Sequence, residues 1–110
     1  MVIEISVSGI PPYKQTPVNN DEREHQDERR ELLKTEARKI CKSLSNNKVS
    51  LDIIYSRHKR RAYSANIIGG IADVLQGIVY ANDRQIMTIH YSEKEGDKDQ
   101  YTIYIKVKED

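Results

Sequence analysis

The chain is short of most residues that staple a small protein or fill its interior with aromatic surface. One cysteine, Cys41, stands alone among 110 residues, so no internal disulfide can form and the fold must rest on an apolar core. That cysteine usage, with no apolar leader at the N-terminus, sets the expectation of a reducing, cytoplasmic address. Tryptophan and phenylalanine are absent and seven tyrosines supply all the aromatic surface, which leaves the interior to Ile, Val, Leu and Ala. No apolar run approaches the roughly 20 residues of a spanning helix, so the reading is of a chain with no membrane partner. No charge sign dominates either: 18 basic residues against 17 acidic ones leave a net charge of +1, and the total names no partner. His25, His58 and His90 lack metal-ligand spacing to one another or to Cys41, so neither a zinc motif nor a nucleophile motif is present.

What is present is unevenly placed. Acidic residues gather over 21–36 and 93–99, whereas Arg57, His58, Lys59, Arg60 and Arg61 form five consecutive potentially cationic positions. Such a run grips phosphates with steep salt dependence and little sequence preference. It is the expected nucleic-acid contact, against the plainer reading of a solvated loop. The acidic stretch 22–31 reads as a solvated helix face, or as a partner surface that imitates phosphate. The length fits a single domain spanning 1–110, large enough to bury roughly 65% of its unfolded surface.

Val2, Ile3, Ile5 and Val7 predict a first strand. Pro11, Pro12 and Pro17 rule out helix over 10–20. Asp21 is then the expected N-cap of a first helix, with Glu22 and Glu24 in a turn where the macrodipole favours negative charge. Leu33, Ala37, Ile40, Cys41 and Leu44 fall on one helical stripe ending near 45–47, with Cys41 as a small core residue. The polar half, 22–31, is expected to project into solvent or fray. Val49, Leu51, Ile53 and Tyr55 alternate as a half-buried second strand. A second helix follows over 64–75, capped by Ser64, with Ala65, Ile68, Ile71, Ala72 and Leu75 at helical spacing. Gly69 and Gly70 inside it each cost about 1 kcal/mol relative to alanine, which predicts close packing against a sheet or another backbone. Met87, Ile89 and Tyr91 alternate in a third strand, and Tyr101, Ile103, Ile105 and Val107 in a fourth; the charged turn between them predicts an antiparallel hairpin. The order β-α-β-α-β-β describes a two-layer α+β fold, a mixed sheet of about four strands packed with two helices.

Three blocks of the sequence carry a family likeness: Arg60-Arg61-Ala62-Tyr63-Ser64-Ala65-Asn66, then Ile71-Ala72-Asp73-Val74-Leu75, then Gly77-Ile78-Val79-Tyr80-Ala81-Asn82-Asp83-Arg84-Gln85-Ile86. They resemble the signature of RusA-type Holliday junction resolvases. That signature reads basic residues, Asp-x-Asp-Asn, a helix with a Lys and then Asp-Ala-Leu, and finally Gly-apolar-apolar-Tyr-x-Asp-Asp-x-Gln-Ile. The last block is the specific one; Pro11-Pro12 after the first strand and the closing hairpin fit as well. The resemblance implies a homodimer that binds branched DNA and cuts four-way junctions with Mg²⁺ held by clustered aspartates. Carried over position by position, Asn66, Asp73 and Asp83 match. Tyr63 and Ala65 stand at the two aspartates of Asp-x-Asp-Asn, Asn82 at the first of the paired aspartates, and Gly69 at the catalytic lysine.

Phosphodiester hydrolysis needs its developing charge neutralised, usually by Mg²⁺ bound through one or two carboxylates plus waters. In the matching region Asp83 remains as residual catalytic residue and metal ligand, with Asn66 as a second, uncharged ligand. Asp83 reads equally as a turn residue before the third strand. Asp73 lies on the same helical face as Asn66 but about 10 Å along the axis, and reads as structural. Tyr63 reads as packed on the sheet, with base stacking as the other use. The expected function is a RusA-like branched-DNA binding protein of recombination and repair whose Mg²⁺-dependent cleavage is lost or reduced, with Mg²⁺ the cofactor if it is active and no small-molecule cofactor otherwise. Two alternatives stand beside it: a protein-interaction module reusing the scaffold, and an active Mg²⁺-dependent endonuclease with a displaced acidic cluster drawn from Glu36, Asp52, Asp73 and Asp83.

Overall fold

A computed structural model describes residues 1–58 and 63–109. The alternating apolar segments become four strands and the two helical patterns become two helices. In chain order these are β1 (Val2–Ser8), α1 (Asn20–Ile40), β2 (Val49–Arg57), α2 (Ser64–Leu75), β3 (Ile86–Glu95) and β4 (Gln100–Val107), with a 3-10 turn at Asp83–Gln85 leading into β3. The expected β-α-β-α-β-β order of an α+β fold is observed.

The strands form one mixed sheet in the order β1-β4-β2-β3. β4 is antiparallel to both β1 and β2, whereas β2 and β3 are parallel, pairing Leu51 with Ile89 and Ile53 with Tyr91. The expected β3–β4 hairpin is therefore not formed. Residues 96–99 instead carry the chain across the end of β2, so that β3 and β4 flank it. A short charged turn has the same composition whether the strands it joins are neighbours or stand on either side of a third. The crossing depends on Gly96, which donates its N–H to the Arg57 carbonyl at 2.9 Å and whose missing Cβ would collide with Ser56 Oγ.

Val49, Leu51, Ile53 and Tyr55 of β2 and Tyr101, Ile103, Ile105 and Val107 of β4 are buried in one core with Ile5, Leu33, Ala37, Ile67 and Ile71. Apolar burial of this extent is the main stabilising term of so small a domain. β3 shares the alternation of β2 but lies at the edge, where Met87 is 59% exposed. The register shifts between Val49 and Ser50, pairing Val49 with Ile86 and Ser50 with Thr88, and Met87 falls outside the alternation.

Helix α1 departs from expectation at both ends. Asn19, not Asp21, is the N-cap: its side chain accepts the Glu22 N–H at 2.8 Å, satisfying a donor the first turn leaves open. The polar half is not frayed. Gln26 is buried and donates to the Gln15 carbonyl at 3.0 Å, and the Arg29 guanidinium lies 5.2 Å over the Tyr13 ring. This half holds the proline loop, which needs hydrogen bonds and a cation on an aromatic face more than an apolar stripe. The C-terminus comes at Ile40, short of 45–47, and leaves Ile40 and Leu44 exposed. Cys41, the C-cap, is half-buried, and that burial raises its thiol pKa. The buried side of α1 is Gln26, Leu33 and Ala37.

Helix α2 has the expected bounds, but Tyr63 rather than Ser64 takes the cap position, with no side-chain cap bond. Among the described residues no helix is long and apolar enough to cross a membrane.

Candidate nucleic-acid interface

The first segment of interest is the face of α2 that receives the loop after β1. Pro11 and Pro12 are buried, and their fixed φ holds the chain extended as it crosses the helix. The crossing is at Gly70, where a Cβ would lie 2.5 Å from the Pro12 carbonyl oxygen and 2.7 Å from Tyr13 Cα. Backbone therefore meets backbone, as the paired glycines predict. One residue on, the Lys14 N–H donates to the Asn66 carbonyl at 3.0 Å. The Lys14 side chain then runs over Gly69, with Cδ 3.1 Å from where a Cβ would stand, and ends with Nζ 3.0 Å from Asp73 Oδ2. Asp73 is thus the exposed partner of an ion pair.

The second segment is 77–86. Gly77 has φ +90°, a conformation that favours glycine, and its N–H donates to the Tyr80 carbonyl at 2.8 Å. Tyr80 is buried, and its hydroxyl donates to the Ala72 carbonyl at 2.6 Å. Burial chiefly, then the charges of Asp73 and Asp83, raise its phenol pKa. Asn82 and Gln85 cap the 3-10 turn reciprocally: Asn82 Oδ1 accepts the Arg84 N–H and the Asn82 N–H donates to Gln85 Oε1, both at 2.9 Å. Gln85 Nε2 also donates to the Ser45 and Asn47 carbonyls, each at 2.8 Å. Asp83 opens this turn and is exposed.

Asn66 lies in the first turn of α2, which follows the Arg57 end of β2, whereas Asp83 precedes Ile86, which pairs with Val49 at the other end. A nine-residue strand spans roughly 26 Å, so the two metal-ligand candidates do not meet within one protomer. Glu36 pairs with Lys39 on α1, Asp52 lies beside Tyr104 on the sheet, and Asp73 holds Lys14. Among the described residues no three of His, Cys, Asp or Glu are grouped to hold an ion. The described donor set of a single protomer does not fit Mg²⁺, which asks for near-octahedral oxygen ligation.

Of the basic run, Arg57 is closed onto Glu93 at 2.9 Å, and the other Glu93 oxygen accepts the Tyr91 hydroxyl at 2.7 Å. Burial first, then that hydrogen bond, raises the Tyr91 phenol pKa. The His58 N–H donates to Asp99 Oδ1 at 3.1 Å, the same oxygen that accepts the Tyr55 hydroxyl at 2.7 Å. Lys59, Arg60 and Arg61 lie outside the described residues. Tyr63 is 71% exposed and does not pack into the sheet as expected.

Lys14 is the functional candidate that sequence reasoning missed. Its one advance signal is the pair Gly69-Gly70, which predicts a close visitor without saying which residue arrives.

Together these features define a small α+β protein with a four-stranded mixed sheet, in which a proline loop is clamped to the second helix. The family model for endodeoxyribonuclease RusA matches residues 12–108, nearly the whole chain, and the chain belongs to that family. The family points to Holliday junction resolution as its field of action. No curated protein matches the sequence.

Proposed function

We propose that this chain, as one domain over 1–110, binds branched DNA in recombination and repair, and that Mg²⁺-dependent junction cleavage is lost or strongly reduced. One observation carries the reading: the family match spans 12–108, while Tyr63, Ala65 and Asn82 stand where the resemblance places carboxylates and Gly69 where it places a lysine. DNA contact falls to His58, Lys59, Arg60 and Arg61, with Arg57 reserved largely for Glu93. Without a carboxylate cluster to hold Mg²⁺, the ion that would neutralise charge developing on a phosphoryl group has no site, and binding through cationic side chains survives where hydrolysis does not.

A homodimer is part of the reading. Asn66 and Asp83 are separated along the sheet, and a two-fold pairing through the open β3 edge, where Met87 and Ile89 are exposed, would carry Asp83 of one protomer toward the start of α2 in the other. The unpaired Cys41 suits a reducing cytoplasm. Light scattering gives the oligomeric state directly.

The test incubates the protein with an end-labelled synthetic four-way junction and with linear duplex, with and without Mg²⁺, resolved on native and denaturing gels. A Tyr63→Asp, Ala65→Asp, Gly69→Lys variant runs alongside. The expected result is a selective junction shift without cleavage by the native chain, and Mg²⁺-dependent nicking by the variant. No shift at low salt sinks the DNA reading and turns attention to a protein partner.

A further inference from the structure

We propose that Lys14 is a phosphate-contacting cation, supplied to α2 by the loop after β1 in place of any side chain from the helix itself. This rests on the branched-DNA reading above. Asn66, Gly69, Gly70 and Asp73 share one face of α2 by their spacing of three and four residues. The loop reaches that face through a backbone contact at Gly70 that a Cβ would forbid. The Lys14 N–H is fixed on the Asn66 carbonyl at 3.0 Å, and its stem lies over Gly69, Cδ at 3.1 Å and Cε at 3.5 Å from the absent Cβ. The two glycines thus form a channel along the helix, and the lysine fills it from outside.

The charged end is placed for use. Lys14 Nζ and Asp73 Oδ2 are 3.0 Å apart, each side chain 56% exposed. An exposed pair of this kind is held weakly, so Asp73 aims the ammonium without locking it. An ammonium has three donors, of which Asp73 takes one, leaving others for a phosphate oxygen. The Lys14 stem lies over the position where the resemblance places a lysine, and its head group ends one turn further along the helix, at Asp73. Here the cation arrives from a different segment, and the missing Cβ at position 69 leaves room for its stem along the observed path.

Junction affinity as a function of salt tests the proposal. Lys14→Met keeps a stem over Gly69 and removes only the charge. It is expected to weaken binding of the synthetic four-way junction about five- to ten-fold at low salt, and to reduce the slope of log affinity against log salt by about one. Lys14→Ala should do the same, and Lys14→Ala combined with Gly69→Lys should restore affinity, because removing the stem clears the space a lysine at 69 needs. Unchanged affinity and slope in Lys14→Met overturn the proposal while leaving junction binding intact. A double variant no tighter than Lys14→Ala overturns the substitution of one lysine for the other. A native protein that shifts no junction overturns the branched-DNA reading and this proposal together. Thermal melting of each variant separates loss of charge from loss of fold.

Discussion

The stretches 63–73 and 77–86, within the blocks that carry the family likeness, are built on different logic. Over 77–86 nearly every matching side chain is spent on the fold: Gly77 turns the chain, Val79 and Tyr80 are buried, the Tyr80 hydroxyl caps a carbonyl of α2, and Gln85 ties its own turn to the 45–47 segment. Over 63–73 the positions where the resemblance expects chemistry hold Tyr63, Ala65 and Gly69, and the contacts are those of a helix receiving a loop. The stretch with the better match is therefore evidence of architecture. The poorer one is where activity has to be judged, because Tyr63, Ala65 and Asp73 face outward and the core does not dictate them.

The contrast breaks most visibly at Gly70. Gly70→Ala drives a Cβ into the Pro12 carbonyl and the Tyr13 backbone, and neither is the flexible end of a side chain. The expected cost is about 3 kcal/mol, the upper part of the overpacking range, which lowers the melting temperature by roughly 13 °C. Gly69→Ala is the control. Its Cβ meets only Lys14 Cδ, which can move, and alanine's helix preference offsets the crowding. Equal losses in the two variants would mean that the loop is not seated on Gly70.

Gln85 comes next. Gln85→Ala strips the Ser45 and Asn47 carbonyls of a donor and the Asn82 N–H of an acceptor. Two of these bonds are partly buried, so a cost of about 2 kcal/mol is expected from the stranded groups, read by urea unfolding with an unchanged m-value. Junction affinity of the folded variant should stay near native, since no proposed DNA contact is touched. A variant of native stability that no longer binds the junction would move Gln85 from architecture to recognition.

The limits of legibility in the sequence follow the same line. Strands were readable because alternation is local, and α2 because its apolar spacing and flanking residues agree. The β3–β4 hairpin was misread because adjacency in a sheet is a long-range choice. Here the 96–99 link passes the end of β2 with the Gly96 N–H on the Arg57 carbonyl, a contact that no short window contains. The polar half of α1 looked unsupported because periodicity counts apolar residues, whereas its work is done by Gln26 and Arg29 on the proline loop. Lys14 was invisible as a candidate for a related reason. Its position over Gly69 depends on two segments more than fifty residues apart, and nothing in Tyr13-Lys14-Gln15 marks it.

Asp83 is the matching carboxylate of the 77–86 stretch and is exposed, so it offers the smallest effect on stability and the sharpest test of the contrast. It is exposed at the head of a turn that Asn82 and Gln85 cap between them. Asp83→Asn changes charge and little shape, and is expected to alter stability by less than about 0.5 kcal/mol. If the proposed homodimer brings Asp83 of one protomer to the start of α2 in the other, the same substitution added to the Tyr63→Asp, Ala65→Asp, Gly69→Lys background should abolish the restored Mg²⁺-dependent nicking, because an amide gives the ion an oxygen without the charge. Junction shift without Mg²⁺ should persist. If Asp83→Asn instead costs as much stability as Gln85→Ala and leaves nicking intact, then 77–86 is architecture from end to end, and no carboxylate of that stretch belongs to the chemistry.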